Sequence, residues 1–227
     1  MRTLILVPVI HTGADLGSLA KDVSKGSLAS FGEDILKEHN SAVEKFWSVI
    51  SNYFETVDAS GMKIYQDGML ADGAMAQKIV EEALKSGSRN YEIVASLMKR
   101  GAVLIRTEDF NLLKEERDRL VAMTQAKSLI STLIALIKYK LAKLGLLNRR
   151  DEFIARRIAE TLSHDEKGIL FIGAYHNIKG RLPSDIKIIE IKDTRKVREY
   201  LQLLPHYNKY RSRFEELKQY LISQIKQ

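Results

Sequence analysis

The sequence predicts an α/β protein with a mainly parallel central sheet of about five strands, helices on both faces, and one long projecting helix. Three observations carry this. Short β-rich apolar runs alternate with longer stretches of helical periodicity, the pattern of strands joined by crossover helices. The first run, Thr3 to Val9, is apolar at nearly every position, as for a strand buried on both faces. Glycines and a Leu182-Pro183-Ser184-Asp185 turn punctuate the remaining runs.

In chain order, Thr3 to Val9 is the first strand. A helix follows from about Ser27 to Glu55, where Phe31, Ile35, Val43, Phe46, Val49, Ile50 and Phe54 recur at mostly helical spacing. Met62 to Tyr65 is the second strand, between Gly61 and Gly68. Two shorter helices, about Gly73 to Lys85 and Ser88 to Arg100, are separated by Gly87, which reads as a C-terminal cap. Ala102 to Arg106 is the third strand. The longest helical pattern runs from about Phe110 to Leu144 and is expected to stop near Gly145. Its start is polar and Leu129 to Ile137 is apolar on nearly every face. A separate helix from Arg149 to Leu162 leads into the fourth strand, Ile169 to Ile172, and Ile186 to Ile191 is the fifth. Thr194 to Leu203 and His206 to Ile225 read as terminal helices. With three prolines and no repeat or flexible linker, residues 1–227 are expected to form a single domain, with a helical excursion at about 110–147.

Composition narrows the chemistry. The chain has no cysteine, which excludes disulfides, thiolate metal sites and cysteine nucleophiles. The apolar start is broken by Pro8 and followed by His11 and Asp15, so it reads as a strand rather than a leader. Leu129 to Ile137 is too short to span a bilayer. A cytoplasmic protein is expected. No P-loop, dinucleotide G-x-G-x-x-G or G-x-S-x-G pattern occurs, so a nucleotide cofactor and a serine nucleophile are not expected.

Ligands of open parallel sheets bind beyond the carboxyl ends of the strands. There the sequence delivers His11 after strand one, Asp67 after strand two, Glu108 after strand three and His176 after strand four. Histidine with carboxylate is the donor set for a divalent metal and equally the equipment for acid/base catalysis. Two of only five histidines stand at equivalent strand ends, which singles out the pair. Gly173 lets the backbone turn closely out of the fourth strand. Asp67 and Glu108 have a second reading as caps of the helices that follow, and Asp67, beside Gly68, a third as a turn residue. His39, His164 and His206 read as surface residues.

The run Arg150-Asp151-Glu152-Phe153-Ile154-Ala155-Arg156-Arg157-Ile158 followed by Ile169-Leu170-Phe171-Ile172-Gly173-Ala174-Tyr175-His176 resembles the TraB/Tiki superfamily, which includes erythromycin esterase-like and ChaN-like proteins. Gly173 to His176 matches its second G-x-x-H motif, and Arg150 matches the arginine that opens the preceding helix. The first motif departs, with Pro8 in place of glycine ahead of His11, and Asp67 stands where glutamate is more usual; Glu108 is a second candidate for that position. The resemblance covers about a third of the chain. It implies a hydrolase, with or without a divalent metal such as Mn, Co or Zn, or a catalytically silent descendant. His11, His176 and Asp67 would then be metal ligands or acid/base groups and Arg150 an anion stabiliser. Gly173 and Glu108 would be further contacts to the bound group.

The net charge of +7 supplies an alternative. Lys192, Arg195, Lys196, Arg198, Lys209, Arg211 and Arg213 form a basic C-terminal share that would suit nucleic acid or another polyanion, although no stacking aromatics are interleaved with them. The apolar part of the long helix, within 129–147, is the expected surface for a homodimer, and no membrane partner is expected.

Overall fold

The computed structural model describes residues 1–12, 33–112, 114–115 and 129–225, with the backbone alone for 129–144. The first strand, β1 (Arg2–Val9), is buried at Leu4 to Val9 because it is an inner strand with both faces covered, Ile5, Val7 and Val9 in one apolar cluster and Leu4 and Leu6 in the other. Pro8 sits inside this strand without costing a ladder bond. Leu6 accepts from Ile191 N, so alternate residues Leu6 and Pro8 face the β5 (Ile186–Glu190) side, where pairing ends at Leu6. A missing N–H is harmless there.

The other strands are β2 (Lys63–Gln66), β3 (Val103–Ile105) and β4 (Lys167–Gly173). All pairings are parallel and the order across the sheet is β3-β2-β4-β1-β5. The chain thus steps outward twice, from β1 over β4 to β2 and then to β3. It returns to β4 and steps over β1 to β5. The expected α/β class and five-stranded parallel sheet are what the chain forms.

One face carries five helices: α1 (Glu33–Glu55), α2 (Gly73–Lys85), α3 (Arg89–Lys99), α5 (Thr194–Leu203) and α6 (Arg211–Ile222). Their apolar stripes, including Phe46, Ile50, Val94, Val197 and Phe214, close over Ile5, Val7, Ile64 and Phe171. Trp47 of α1 donates to Ile10 O at 3.1 Å and pins the end of β1. Gly87 takes φ +79° after α2, the left-handed stop expected of it.

The opposite face is covered by the C-terminal part of α4 (Leu129–Thr161), where Ile154, Ala155 and Ile158, with Leu162 just after the helix, pack on Leu4, Leu6, Tyr65, Leu170 and Ile172. This helix corrects the expectation of two helices parted at Gly145. It runs unbroken through that glycine, because an interior glycine costs a helix only about 1 kcal/mol and stops it only if the backbone turns left-handed. Residues 27–32 and most of 110–128 lie outside the described residues. The projection expected of the long helix and the apolar face at Leu129–Ile137 rest on side chains that also lie outside them. Among the described residues no helix is long and apolar enough to cross a membrane.

Arg2 ties the amino edge together. Its guanidinium donates to Ala159 O and Leu162 O at the end of α4 and pairs with Asp185 at 2.7 Å. Gly168 marks the tightest point under α4: a Cβ there would lie 3.0 Å from Tyr65 Cε2 and 3.2 Å from Leu4 Cδ1. Gly168→Ala is expected to cost roughly 1–3 kcal/mol through overpacking, read as a lower urea midpoint at unchanged m.

Candidate functional site

The sheet's connections diverge between β2 and β4: β2 leads outward to β3, whereas β4 leads the other way to β5. The carboxyl edge at such a reversal is where open α/β sheets leave a crevice. Asp67 extends β2 into it, with its N–H donating to Phe171 O at 2.9 Å, and Gly68 at φ +83° turns the chain away. Its carboxylate caps no helix. Oδ1 accepts from Arg150 Nη2 at 2.9 Å, and Oδ2 accepts from Gly173 N at 3.2 Å and His176 Nε2 at 3.1 Å.

His176 comes from the turn after β4, closed by its own N–H on Gly173 O. Its second ring nitrogen, Nδ1, lies 2.5 Å from Asp151 Oδ1, and Asp151 Oδ2 accepts from Asn177 N at 2.8 Å. Asp151 and Arg150 are neighbours on α4, carried to the carboxyl edge by its packing on the sheet. Arg150 spreads its Nε and Nη2 over Glu108, the closest contact being 2.6 Å. Glu108 is fixed by the turn after β3, where Thr107 N and Glu108 N both donate to Met69 O. Asp67, Glu108, Asp151 and Arg150 are all at most 13% exposed at the side chain, so this is a buried network of charges.

The electrostatics follow from that burial. Two ionised carboxylates only accept, so both nitrogens of His176 carry protons and the ring is an imidazolium. Desolvation opposes that charge, but Asp151 and Asp67 outweigh it and push the pKa up to about 9. Desolvation likewise works against the Asp67 anion, yet His176, Arg150 and the Gly173 N–H hold it well below the ordinary carboxylate range. At Glu108 burial wins over Arg150 and the carboxyl is raised. Gly173 lies against the pair: its N–H donates to Asp67, and a Cβ there would come 3.4 Å from both Asp67 Oδ2 and His176 Cδ2, the near limit of ordinary van der Waals contact.

Of the residues expected from the sequence, Asp67, Glu108, Arg150, Gly173 and His176 are brought together. His11 leaves the strand next to that of His176, since Val9 is in register with Gly173, but it is exposed. Among the described residues no hydrogen bond or ion pair joins it to the cluster. Arg150 serves the carboxylates rather than facing open space. His39 departs from its expected surface role: it is half-buried against Tyr200 OH at 3.0 Å, and desolvation lowers its pKa to about 4. Asp151 is the member that sequence reasoning missed. Its signal was periodicity, because positions 151, 154, 155, 158 and 162 form one helical stripe whose other members are all apolar and buried.

The divalent metal implied by the resemblance does not fit this donor set. Both imidazole nitrogens are spent on carboxylates, and Arg150 holds Asp67 and Glu108. Among the described residues no group of three or more His, Cys, Asp or Glu side chains is disposed to hold a metal ion. The basic C-terminal share is compensated only in part. Lys192 is buried and donates to Tyr220 O and Ser223 O, while Arg213 pairs with Glu199 and Glu216. No family model, curated protein or solved structure matches the chain.

The raised pKa of His176 makes stability depend on pH. A folded-state value of about 9 against about 6.5 unfolded means that the contribution, on the order of 3 kcal/mol, is complete below pH about 6.5 and lost as pH rises through 9. Lys192, lowered to about 8 by burial, acts with opposite sign at the upper end of that range. The quantity to read is therefore the difference in urea midpoint between wild type and His176→Gln, which should shrink over this window. Asp151→Asn removes one of the two carboxylates on a buried cation and is expected to cost about 3–5 kcal/mol by the same measurement at pH 7.

Proposed function

We propose that the protein is a hydrolase of the kind implied by its G-x-x-H and arginine-helix resemblance, with Asp67 and His176 as its acid/base pair. The observation that carries this reading is an ionised aspartate at the switch point of the sheet, 3.1 Å from an imidazolium that a second, buried aspartate orients. Active sites are where burial and paired charges drive two titratable groups apart in this way.

In this reading water attacks the scissile centre while Asp67 takes one of its protons, and His176 gives its Nε2 proton to the leaving group. A proton then passes from Asp67 to His176 along their contact and restores both. Asp67 alone is a weak base, since its anion is so well solvated by donors. Proton acceptance therefore has to be concerted with donation by His176. Asp151 and Arg150 position the pair, and the Gly173 N–H holds the Asp67 carboxylate.

The test is a screen of p-nitrophenyl esters, phosphomonoesters, phosphodiesters and a mixed peptide substrate. One class is expected to be cleaved with an alkaline limb near pH 9, and Asp67→Asn and His176→Gln should each lower kcat by about 100-fold or more. Cleavage that survives both substitutions would place the chemistry elsewhere. In a parallel arm, Mn²⁺, Co²⁺ and Zn²⁺ are expected to give no thermal stabilisation at pH 7, where each would have to displace the His176 proton. Stabilisation lost in His176→Ala would instead restore a metal centre.

A further inference from the structure

Beside His176 lies a cavity of about 250 Å³ lined from β1, β4, the segment after β4 and the start of α5. Leu6, Ile172 and Ile178 give it an apolar lining, and Lys179, Arg195 and Arg198 give it three cations. No carboxylate lines it among the described residues. Two of these cations are paired with acids outside the lining: Lys179 with Glu190, and the exposed Arg195 with Asp193 at 3.3 Å. The polar groove between α1 and α3 is different, with Glu55 and Glu92 set against Arg89 and Arg100.

Arg198 is already oriented. Its Nε donates to Ala174 O at 2.7 Å and its Nη2 to His176 O at 3.3 Å, which fixes the plane of the guanidinium on the backbone of the G-x-x-H turn. A planar fork held in advance loses little freedom when it takes an oxyanion. Arg198 has no carboxylate partner among the described residues, and its charge beside the apolar walls favours a small anion over water alone, with Lys179 and Arg195 as further cations at the rim. The volume is below that of typical drug-sized pockets, so it suits a small ligand or one end of a larger one.

We propose that this cavity binds the small oxyanion group, phosphate or carboxylate, of an anionic substrate whose scissile bond lies at Asp67 and His176. The inference rests on the hydrolase reading for the substrate's identity, but the binding site itself stands on the cavity.

Isothermal titration calorimetry at pH 7 with inorganic phosphate and with acetate, each at an ionic strength matched with chloride, tests it and distinguishes the two oxyanions. At least one is expected to bind saturably. The double variant Lys179→Gln/Arg195→Gln changes two exposed or half-exposed side chains and leaves the fold intact. It should weaken binding about tenfold or more, the scale of one lost charge-assisted hydrogen bond. Arg198→Lys, which keeps the charge and loses the fork, should weaken phosphate more than acetate binding. Asp67→Asn should leave oxyanion binding in place while removing hydrolysis, so the two readings fail separately. Heats no different from those of chloride, or binding that survives the double variant, would overturn the cavity assignment whatever the hydrolase screen returns.

Discussion

The carboxyl edge of the sheet is organised by one protonated imidazole held between two aspartates. Asp67 arrives from β2, His176 from β4 and Asp151 from α4, so the ring joins three elements that are distant in sequence. Arg150 extends the same network to Glu108 after β3. Buried ion pairs of this kind do little for net stability, because desolvating each charge costs several kcal/mol and well-packed apolar groups often do as well. Removing one partner is another matter, since the other is left charged in the interior. The cluster is therefore a poor means of adding stability and an effective means of fixing geometry, which is what an acid/base pair requires.

The path of the chain explains why these groups meet. Steps from β1 to β2 and on to β3 lay their helices on one face, and the return from β3 to β4 lays α4 on the other. That helix is anchored at the amino edge, where Arg2 holds its last carbonyls and Tyr65 OH lies 2.9 Å from Thr161 Oγ1. From Thr161 back to Arg150 is eleven residues, about 16 Å of helix at 1.5 Å each, which matches the depth of a typical strand. Anchoring one end under Arg2 thus brings Arg150 and Asp151 level with Asp67 and His176.

How far the sequence foretold this differs from element to element. The strands were legible because uninterrupted apolar runs such as Thr3 to Val9 have few other uses, and Gly87 because its left-handed role is local. Gly145 misled because glycine signals a stop only through a backbone angle that composition does not specify. Asp67, Glu108 and His176 could be found from a general rule about strand ends. Asp151 could not, since the rule looks only at strand ends while this carboxylate sits in a helix, disguised as one polar residue in an apolar stripe. His11 shows the reverse error. Strand-end position puts a side chain near the edge but does not aim it, and burial went to the histidine with partners waiting.

One proton links the cluster to what can bind beside it. A metal ion would need a lone pair on His176 and hence the neutral ring, so its affinity would scale with the neutral fraction and fall about tenfold per pH unit below pH 9. An oxyanion in the cavity beside the ring would favour the imidazolium and hold that proton more firmly. By linkage, whichever ligand moves the His176 pKa is itself moved by pH in the same measure. The aspartates on either side of the ring have already biased this choice. With two carboxylates stabilising the imidazolium, a metal cation must first displace that proton, while the proposed attraction for an anion comes from Lys179, Arg195 and Arg198 outside the clamp.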